Sequence, residues 1–542
     1  MVSRILNGQS KTIVSAAFIL GITTLISKAL GLFRDRLLAG RFGAGDELDV
    51  YYAAFRIPDF VFNILIIGAI SAAFIPVFAS YWNRDEKDAW KVANGVLNIF
   101  VLALISISLI LIIFCPFFIS IIAPGFSGEK KELAVMLTRI MFLSPVFLSI
   151  SNIFSGILQY FHRFVVCSIA PILYNIGIIF GILFLVPRFG VFGVAWGVVL
   201  GAFLHMVVQI PYVKLCGYKY QFVFNFNHPG IKKIIKLMIP RTVGSCASQV
   251  NLIVITAIAS VLASGSIAIF NLSNNLQFIP VGLIGISFAT AAFPSLSREF
   301  AGERRKEFIN KFSSTFRHVL FLVVPLAFLI FILRAQIVRI VLGTGHFGWA
   351  DTRLTAACLG LFSLGIFAQS FVPLVSKAFY ALHNTITPVV VSIISIVLNI
   401  ALSFLFVWAL GFNNPFFEFI EGQLKLQGIN QISIVGLPLA FSISSFLNFV
   451  LLIIALYKKF GDFDFKNIII CTFKVLLATF LMTEMVYFSL YIFSEAVNMR
   501  TFFGIFLQSG GAALVGAATY FIAARFLNLY KIRRIKDLIN LS

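Results

Sequence analysis

About fourteen stretches of this chain are apolar over twenty residues or more, and they constrain its fold more than any other feature. They lie near 12–33, 50–80, 93–122, 133–160, 165–187, 189–213, 234–263, 265–296, 317–342, 354–380, 387–411, 431–456, 467–495 and 503–525. A helix of about 20 apolar residues crosses the hydrocarbon of a bilayer. Backbone in that medium must satisfy its own hydrogen bonds, which leaves helices or closed barrels, and barrel strands are short and alternating. The chain therefore reads as an all-α polytopic membrane protein of about fourteen spans. With 60% of its 542 residues hydrophobic and only 12% charged, it has half the charge of an ordinary soluble domain. The same numbers exclude a disordered chain, a collagen-like repeat or a small disulfide scaffold. The first run reads as a span rather than a cleaved leader, because Arg34, Asp35 and Arg36 follow it where a small-residue cleavage site would stand. The split between the fifth and sixth runs rests on Pro187 and Gly190.

The net charge of +21 would point to nucleic acid in a soluble protein. Here most basic residues fall between the apolar runs. Alternate loops differ sharply: the set containing both termini holds about 25 Lys and Arg, among them Lys232, Lys233, Arg304, Arg305, Lys306, Lys458, Lys459, Arg533 and Arg534, against about 9 in the other. Basic residues are retained on the cytoplasmic side, so both termini are expected there, and nucleic acid is not an expected partner. The six cysteines are isolated, with no CxxC pair, which argues against a zinc site or a disulfide framework. The histidines form no HExxH, and no Walker A, GxSxG elbow or acidic cluster of metal-ligand spacing occurs. No catalytic residue, metal or cofactor is therefore assigned. Any transport must draw on gradients, membrane potential or substrate supply.

The chain reads as internally duplicated rather than as apolar helices alike by chance. GAISAAFIPVF around Pro76 recurs as GISFATAAFPSL around Pro294, NIGIIF at Asn175 as NIALSF at Asn399, and GVAWGVVLGAFL at Gly193 as GLPLAFSISSFL at Gly436. The offsets of about 218, 224 and 243 rise steadily, as a duplication with insertions requires, and the loop near 412–430 supplies the largest step. Six spans per copy keep both in one orientation, which implies two pseudo-symmetric six-helix lobes. The expected division is an N-terminal lobe over 1–215, a C-terminal lobe over 216–460, and two additional helices with a basic tail over 461–542.

Ionisable residues within a span are costly and usually face a cavity or a partner. In the second run Asp49, Tyr52, Arg56, Asp59 and Asn63 step by 3 or 4, one polar stripe on an apolar helix. Ile66, Ile67 and Ile70 then continue that face as hydrocarbon, a pattern that suits the wall of a cavity open at one end or a helix end among polar loops. Pro58 within the stripe frees a carbonyl and permits a bend, with Arg56 near it positioned for an anion. Lys28 and Asp35, seven apart, share a face of the first helix, either toward that cavity or snorkelling to the interface. The eighth run carries an uncharged cluster of Asn271, Ser273, Asn274, Asn275 and Gln277, suited to hydrogen-bonding sugar or peptide groups or to joining helices. Arg139, Arg241, Arg334, Arg339, Lys377 and Lys474 are single charges that read as snorkelling residues, and Glu484 is a lone carboxylate in the thirteenth run. Gly193, Gly197 and Gly201 share one face, a signature of close helix packing.

The stretch SKALGLFRDRLLAGRFGAGDELDVYYAAFRIPDF from Ser27, followed by GAISAAFIPVF, resembles the MurJ/MviN family of lipid II flippases in the MOP exporter superfamily. APGF at Ala123–Phe126, FPSLSREF at Phe293–Phe300 and KAFYALHNTITP at Lys377–Pro388 extend the resemblance over essentially the whole chain. It implies a non-enzymatic transporter that moves lipid-linked peptidoglycan precursor from the inner to the outer leaflet of the bacterial cytoplasmic membrane by alternating access. A monomer, lipid II as partner alongside membrane lipids, and a polyprenyl-tail groove on the last two helices are also implied. The substrate-binding residues so implied are Lys28, Arg34, Asp35, Asp49 and Arg56, with amide help from Asn63, Asn274 and Asn275. The family's basic pair farther along the second helix reads Phe62-Asn63 here, its acidic residue there reads Ile67, its Asp-Arg pair in the eighth helix reads Asn274-Asn275, and its seventh-helix Asp reads Ile255. These departures leave open a related exporter of another polyprenyl-linked oligosaccharide or a drug-like solute.

Overall fold

The computed structural model describes residues 13–64, 73–429, 431–461 and 463–529. The readings at Ile66, Ile67, Ile70, Arg533 and Arg534 lie outside these, as does the Arg241 side chain. Among the described residues the secondary structure is helical, without strands. The helices used below are α1 (Ile13–Phe42), α2 (Asp46–Phe62), α3 (Ile75–Trp82), α4 (Glu86–Ile113), α5 (Gly128–Tyr160), α6 (Phe164–Phe189), α7 (Phe192–Leu215) and α8 (Pro229–Ser260). They continue as α9 (Ser266–Ala301), α10 (Arg305–Ile332), α11 (Trp349–Ala381), α12 (Ile386–Ala409), α13 (Ser433–Phe460), α14 (Phe465–Ala496) and α15 (Phe502–Phe526). Eleven of the described helices are long and apolar enough to cross a membrane. The first, second and seventh apolar runs fall on α1, on α2 with α3, and on α8. Gly190, at φ +56°, separates α6 from α7 where the sequence placed the break.

The chain forms two compact units, Met1–Ala268 and Ile269–Ser542. In the first, α6 and α7 pack backbone to backbone. A Cβ added at Gly177 would stand 2.3 Å from Gly201 Cα, and one added at Gly181 would stand 2.6 Å from Gly197 Cα. The glycine face is therefore a close helix crossing. In the second unit α11, α12 and α13 pack together, and α10 packs on α14, which in turn pairs with α15.

Prolines within the spans free carbonyls four residues back, and at three of them a side-chain hydroxyl lies nearby. Pro58 frees Ala54 O, which lies 3.3 Å from the Thr138 hydroxyl of α5. Pro325 frees Phe321 O, which accepts from the Tyr520 hydroxyl of α15 at 2.7 Å. Pro145 frees Met141 O, which accepts from Ser144 Oγ at 2.8 Å. Phe321 O and Met141 O thus each have a donor in a medium that offers no water, while the Thr138 hydroxyl near Ala54 O gives its shorter bond, 2.7 Å, to Ala134 O.

Candidate functional site

The α6–α7 clamp fixes Asn175 on the face of α6 that meets α1. Asn175 Nδ2 donates to Ser27 O and Ser27 Oγ, both at 3.3 Å, and to Pro171 O at 3.1 Å. Its Oδ1 accepts from Arg34 Nη1 at 3.2 Å. Arg34 Nε and Nη2 both donate to Asp35 Oδ1, at 3.0 and 2.8 Å. A buried carboxylate and a buried amide thus hold the guanidinium from one side, the Arg34 side chain remaining 21% exposed and that of Asp35 only 4%. Lys28, half-buried, directly follows the serine that Asn175 grips.

On α2, Arg56 Nε donates to Thr256 Oγ1 of α8 at 2.9 Å. Tyr52 lies within electrostatic reach of both Arg34 and Arg56, and its hydroxyl is buried with no hydrogen-bond partner among the described residues. The structure therefore brings Arg34, Asp35, Tyr52 and Arg56 into one neighbourhood. Tyr52 was legible as a member of the polar stripe, but spacing alone could not place it within reach of both arginines. Asp59 lies within electrostatic reach of Arg56. Asn63 Nδ2 donates to Asp59 O at 2.8 Å, a bond within its own helix.

Asp49 has a different setting. Its carboxylate is buried and accepts from the backbone N–H groups of Gly265 and Ala268, each at 2.8 Å, with Lys130 Nζ at 3.6 Å. It thus caps the start of α9, where free N–H groups and the helix dipole favour an anion. One turn earlier, Asp46 takes Lys130 Nζ at 2.5 Å and Ser264 Oγ at 2.7 Å. Gly265, at φ +85°, is required in this turn: a Cβ there would stand 2.0 Å from Ala44 O.

In the second unit Asn274 Oδ1 accepts from Gln277 Nε2 at 3.0 Å, and the same nitrogen lies 3.2 Å from Gln369 Oε1 of α11. Asn275 is half-buried beside it. Gln277 is fully buried, and its Oε1 has no partner among the described residues. This is a neutral amide cluster holding α9 to α11.

Four of the single basic residues meet backbone carbonyls. Arg139 donates to Ile112 O at 3.3 Å, Arg334 to Phe331 O at 2.8 Å, Arg339 to Met499 O at 3.3 Å and Lys474 to Leu527 O at 2.8 Å. Three of these carbonyls close α4, α10 and α15, where a cation offsets orphan acceptors and the negative end of the dipole. Lys377 lies over the Phe293 ring at 4.8 Å. Glu484 is exposed on α14.

The polytopic helical fold is shared with solved membrane transporters, those of the MOP superfamily among them. An inward-facing MATE-family multidrug transporter of that superfamily superposes with a TM-score of 0.65 at 12% identity, covering 83% of this chain and 98% of its own. A lipid II flippase MurJ in an inward closed conformation superposes with a TM-score of 0.76 at 25% identity, covering 95% of this chain and all of its own. A probable lipid II flippase MurJ of Buchnera aphidicola subsp. Schizaphis graminum (strain Sg) is 32% identical over 527 residues, 95% of this chain and 97% of the relative. The family model described as lipid II flippase MurJ matches residues 38–507. The chain belongs to the MurJ family of lipid II flippases.

Proposed function

We propose that this chain flips lipid II across the bacterial cytoplasmic membrane, from the inner to the outer leaflet, by alternating access. It is a multi-pass transporter and not an enzyme. The observation that carries the site assignment is two oriented guanidiniums, Arg34 held by Asp35 and Asn175 and Arg56 held by Thr256, both within electrostatic reach of Tyr52. Guanidinium groups bind phosphate oxygens through charge-assisted hydrogen bonds, and Asp35 with Asn175 pre-orients one of them. Lys28 adds a third cation, on the same helix as Arg34. Asn63, Asn274 and Asn275 supply amides for the sugar-peptide portion. Asp49, also implied for substrate binding by the resemblance, caps the start of α9 and so fixes the end of α2 away from Arg56. The lobes 1–215 and 216–460 are the alternating elements, and 461–542 cradles the polyprenyl tail. Both termini are cytoplasmic in this reading, which the asymmetry of about 25 against about 9 basic residues supports. The working unit is a monomer, as the family resemblance implies.

Replacing Arg34 or Arg56 with Ala tests the assignment in a flippase-depleted bacterium. Each variant should insert normally and fail to deliver precursor in an outer-leaflet accessibility assay. Normal export by both would overturn the site. One observation favours a second reading, export of another polyprenyl-linked oligosaccharide: the second unit presents Asn274 and Asn275 where the family's charged pair is expected. The identity of the lipid that accumulates on the inner leaflet of depleted cells separates the two.

A further inference from the structure

Helix α4 carries two buried asparagines one turn apart, Asn94 and Asn98, that hold a stretch of non-helical chain. Asn94 Nδ2 donates to Lys219 O at 3.0 Å, and its Oδ1 accepts from Gln221 N at 3.0 Å and the Tyr218 hydroxyl at 2.8 Å. Asn98 Nδ2 donates to Gln221 O at 3.0 Å and Val223 O at 3.1 Å. Residues 218–224, between α7 and α8, are thereby strapped along α4, their backbone polar groups satisfied by side-chain amides.

Beside the strap lies a cavity of about 960 Å³. Val101 and Ile105 of α4, Phe154 of α5, Ile210 of α7, and Phe222 and Phe224 of the strap form its apolar walls, while Lys214 and Lys219 provide cations. The wall is continuous with a lipid-facing stripe on α4, where exposure rises from 40% at Ile105 to 70% at Ile113. Lys232, Lys233 and Lys236 are exposed on the first turns of α8, whose Ile231 meets Gly95 of α4. Against these lysines stand Glu86, which borders Gly217, and Asp88, which faces His228 Nε2 at 3.3 Å.

A groove that is apolar along its length, continuous with hydrocarbon at one end and basic at the other matches one kind of molecule. Its volume falls within the range of specific ligand sites, roughly 300–1,000 Å³. Its walls offer few hydrogen-bonding groups for a sugar or peptide. Basic pockets between helices at a membrane surface select anionic headgroups. We propose that this groove is a resident site for an anionic glycerophospholipid, its acyl chains along Val101–Ile105 and its phosphate between Lys214 and Lys219. The lipid completes the packing of the strap and ties α4, α5 and α7 at their common end.

Lipid binding to the purified full-length protein tests this, by native mass spectrometry with phosphatidylglycerol, phosphatidylethanolamine and undecaprenyl phosphate as probes. Phosphatidylglycerol should bind more tightly than phosphatidylethanolamine. A basic residue near the surface contributes about fivefold to such binding, so Lys214→Gln with Lys219→Gln should weaken phosphatidylglycerol by roughly 30-fold. Val101→Trp, which fills the groove without altering charge, should weaken both phospholipids. Lys232→Gln with Lys233→Gln, outside the groove, should leave occupancy unchanged. Equal binding of the two phospholipids, wild-type affinity in the Lys214/Lys219 variant, or displacement of phosphatidylglycerol by undecaprenyl phosphate would each overturn the proposal.

Discussion

Tyr520 of α15 offers a direct test of how the last helix is fastened to α10 within the second unit. Its side chain is buried, and its hydroxyl donates to Phe321 O at 2.7 Å. That carbonyl is available because residue 325 is proline and lacks the N–H that would otherwise reach it. Tyr520→Phe removes only the hydroxyl; the ring keeps its contact with Phe321, whose centroid lies 5.1 Å away, so no cavity opens beyond one oxygen. A buried acceptor left unpaired costs about 1–3 kcal/mol, and interhelical hydrogen bonds in membranes reach about 1.7 kcal/mol. The expected loss is therefore about 1–2 kcal/mol, or roughly 5- to 30-fold in the folding equilibrium. The assay is thermal loss of monodisperse protein in detergent, run as a double-mutant cycle with Pro325→Ala. Alanine restores the backbone N–H, so Phe321 O regains a partner within α10 and Tyr520→Phe should become nearly neutral. An equal cost of Tyr520→Phe in the wild-type and Pro325→Ala backgrounds would refute the reasoning.

Three further outcomes follow from the same structure. Asp49→Asn halves the carboxylate cap on α9 and removes its charge beside Lys130, a loss of about 0.5–2 kcal/mol that should speed thiol labelling of a Ser264→Cys reporter; an unchanged rate would show that the cap does not hold this turn. Gly181→Ala places a methyl 2.6 Å from Gly197 Cα, and overpacking of about 1–3 kcal/mol should lower thermal stability and loosen Asn175 from Arg34, whereas Gly510→Ala, with nothing within 4 Å, should be tolerated. Asp464 lies in the turn between α13 and α14; burial pushes its carboxyl up, but hydrogen bonds from Ser313, Arg317 and Asn467 outweigh this and hold it below its ordinary value of 3.8. A carboxyl depressed in the folded state stabilises fully above that value and loses its contribution as pH falls through the lower folded pKa, so wild-type melting should drop below pH 3.8 and Asp464→Asn should flatten that drop.

Some of the site could be read from one dimension and some could not. The stripe from Asp49 to Asn63 follows from helical periodicity, because residues three or four apart share a face whatever surrounds them. Arg34 and Arg56 stood out because a charge inside an apolar run is costly unless something meets it. Periodicity does not say what meets them. Asn175 stands 141 positions from Arg34 and Thr256 stands 200 from Arg56. Asp49 belongs to the same stripe as Arg56, yet it points to the start of α9 and caps a helix. The scattered Arg139, Arg334 and Lys474 read as snorkelling charges, since the carbonyls they meet belong to helix ends remote or turned away in the chain.

What the sequence by itself determined is the class of the molecule: long apolar runs admit only membrane helices, and the motif from Ser27 to Phe60 carries the family. Tertiary structure alone decided which polar group serves which purpose. Hydrocarbon forbids an unpaired carbonyl or cation, so each proline-freed acceptor and each buried arginine needs a partner, and folding draws those partners from wherever the packed neighbour happens to lie in the chain. The strap on Asn94 and Asn98, with the basic-ended groove beside it, exists only because α4, α5, α7 and residues 218–224 meet in space.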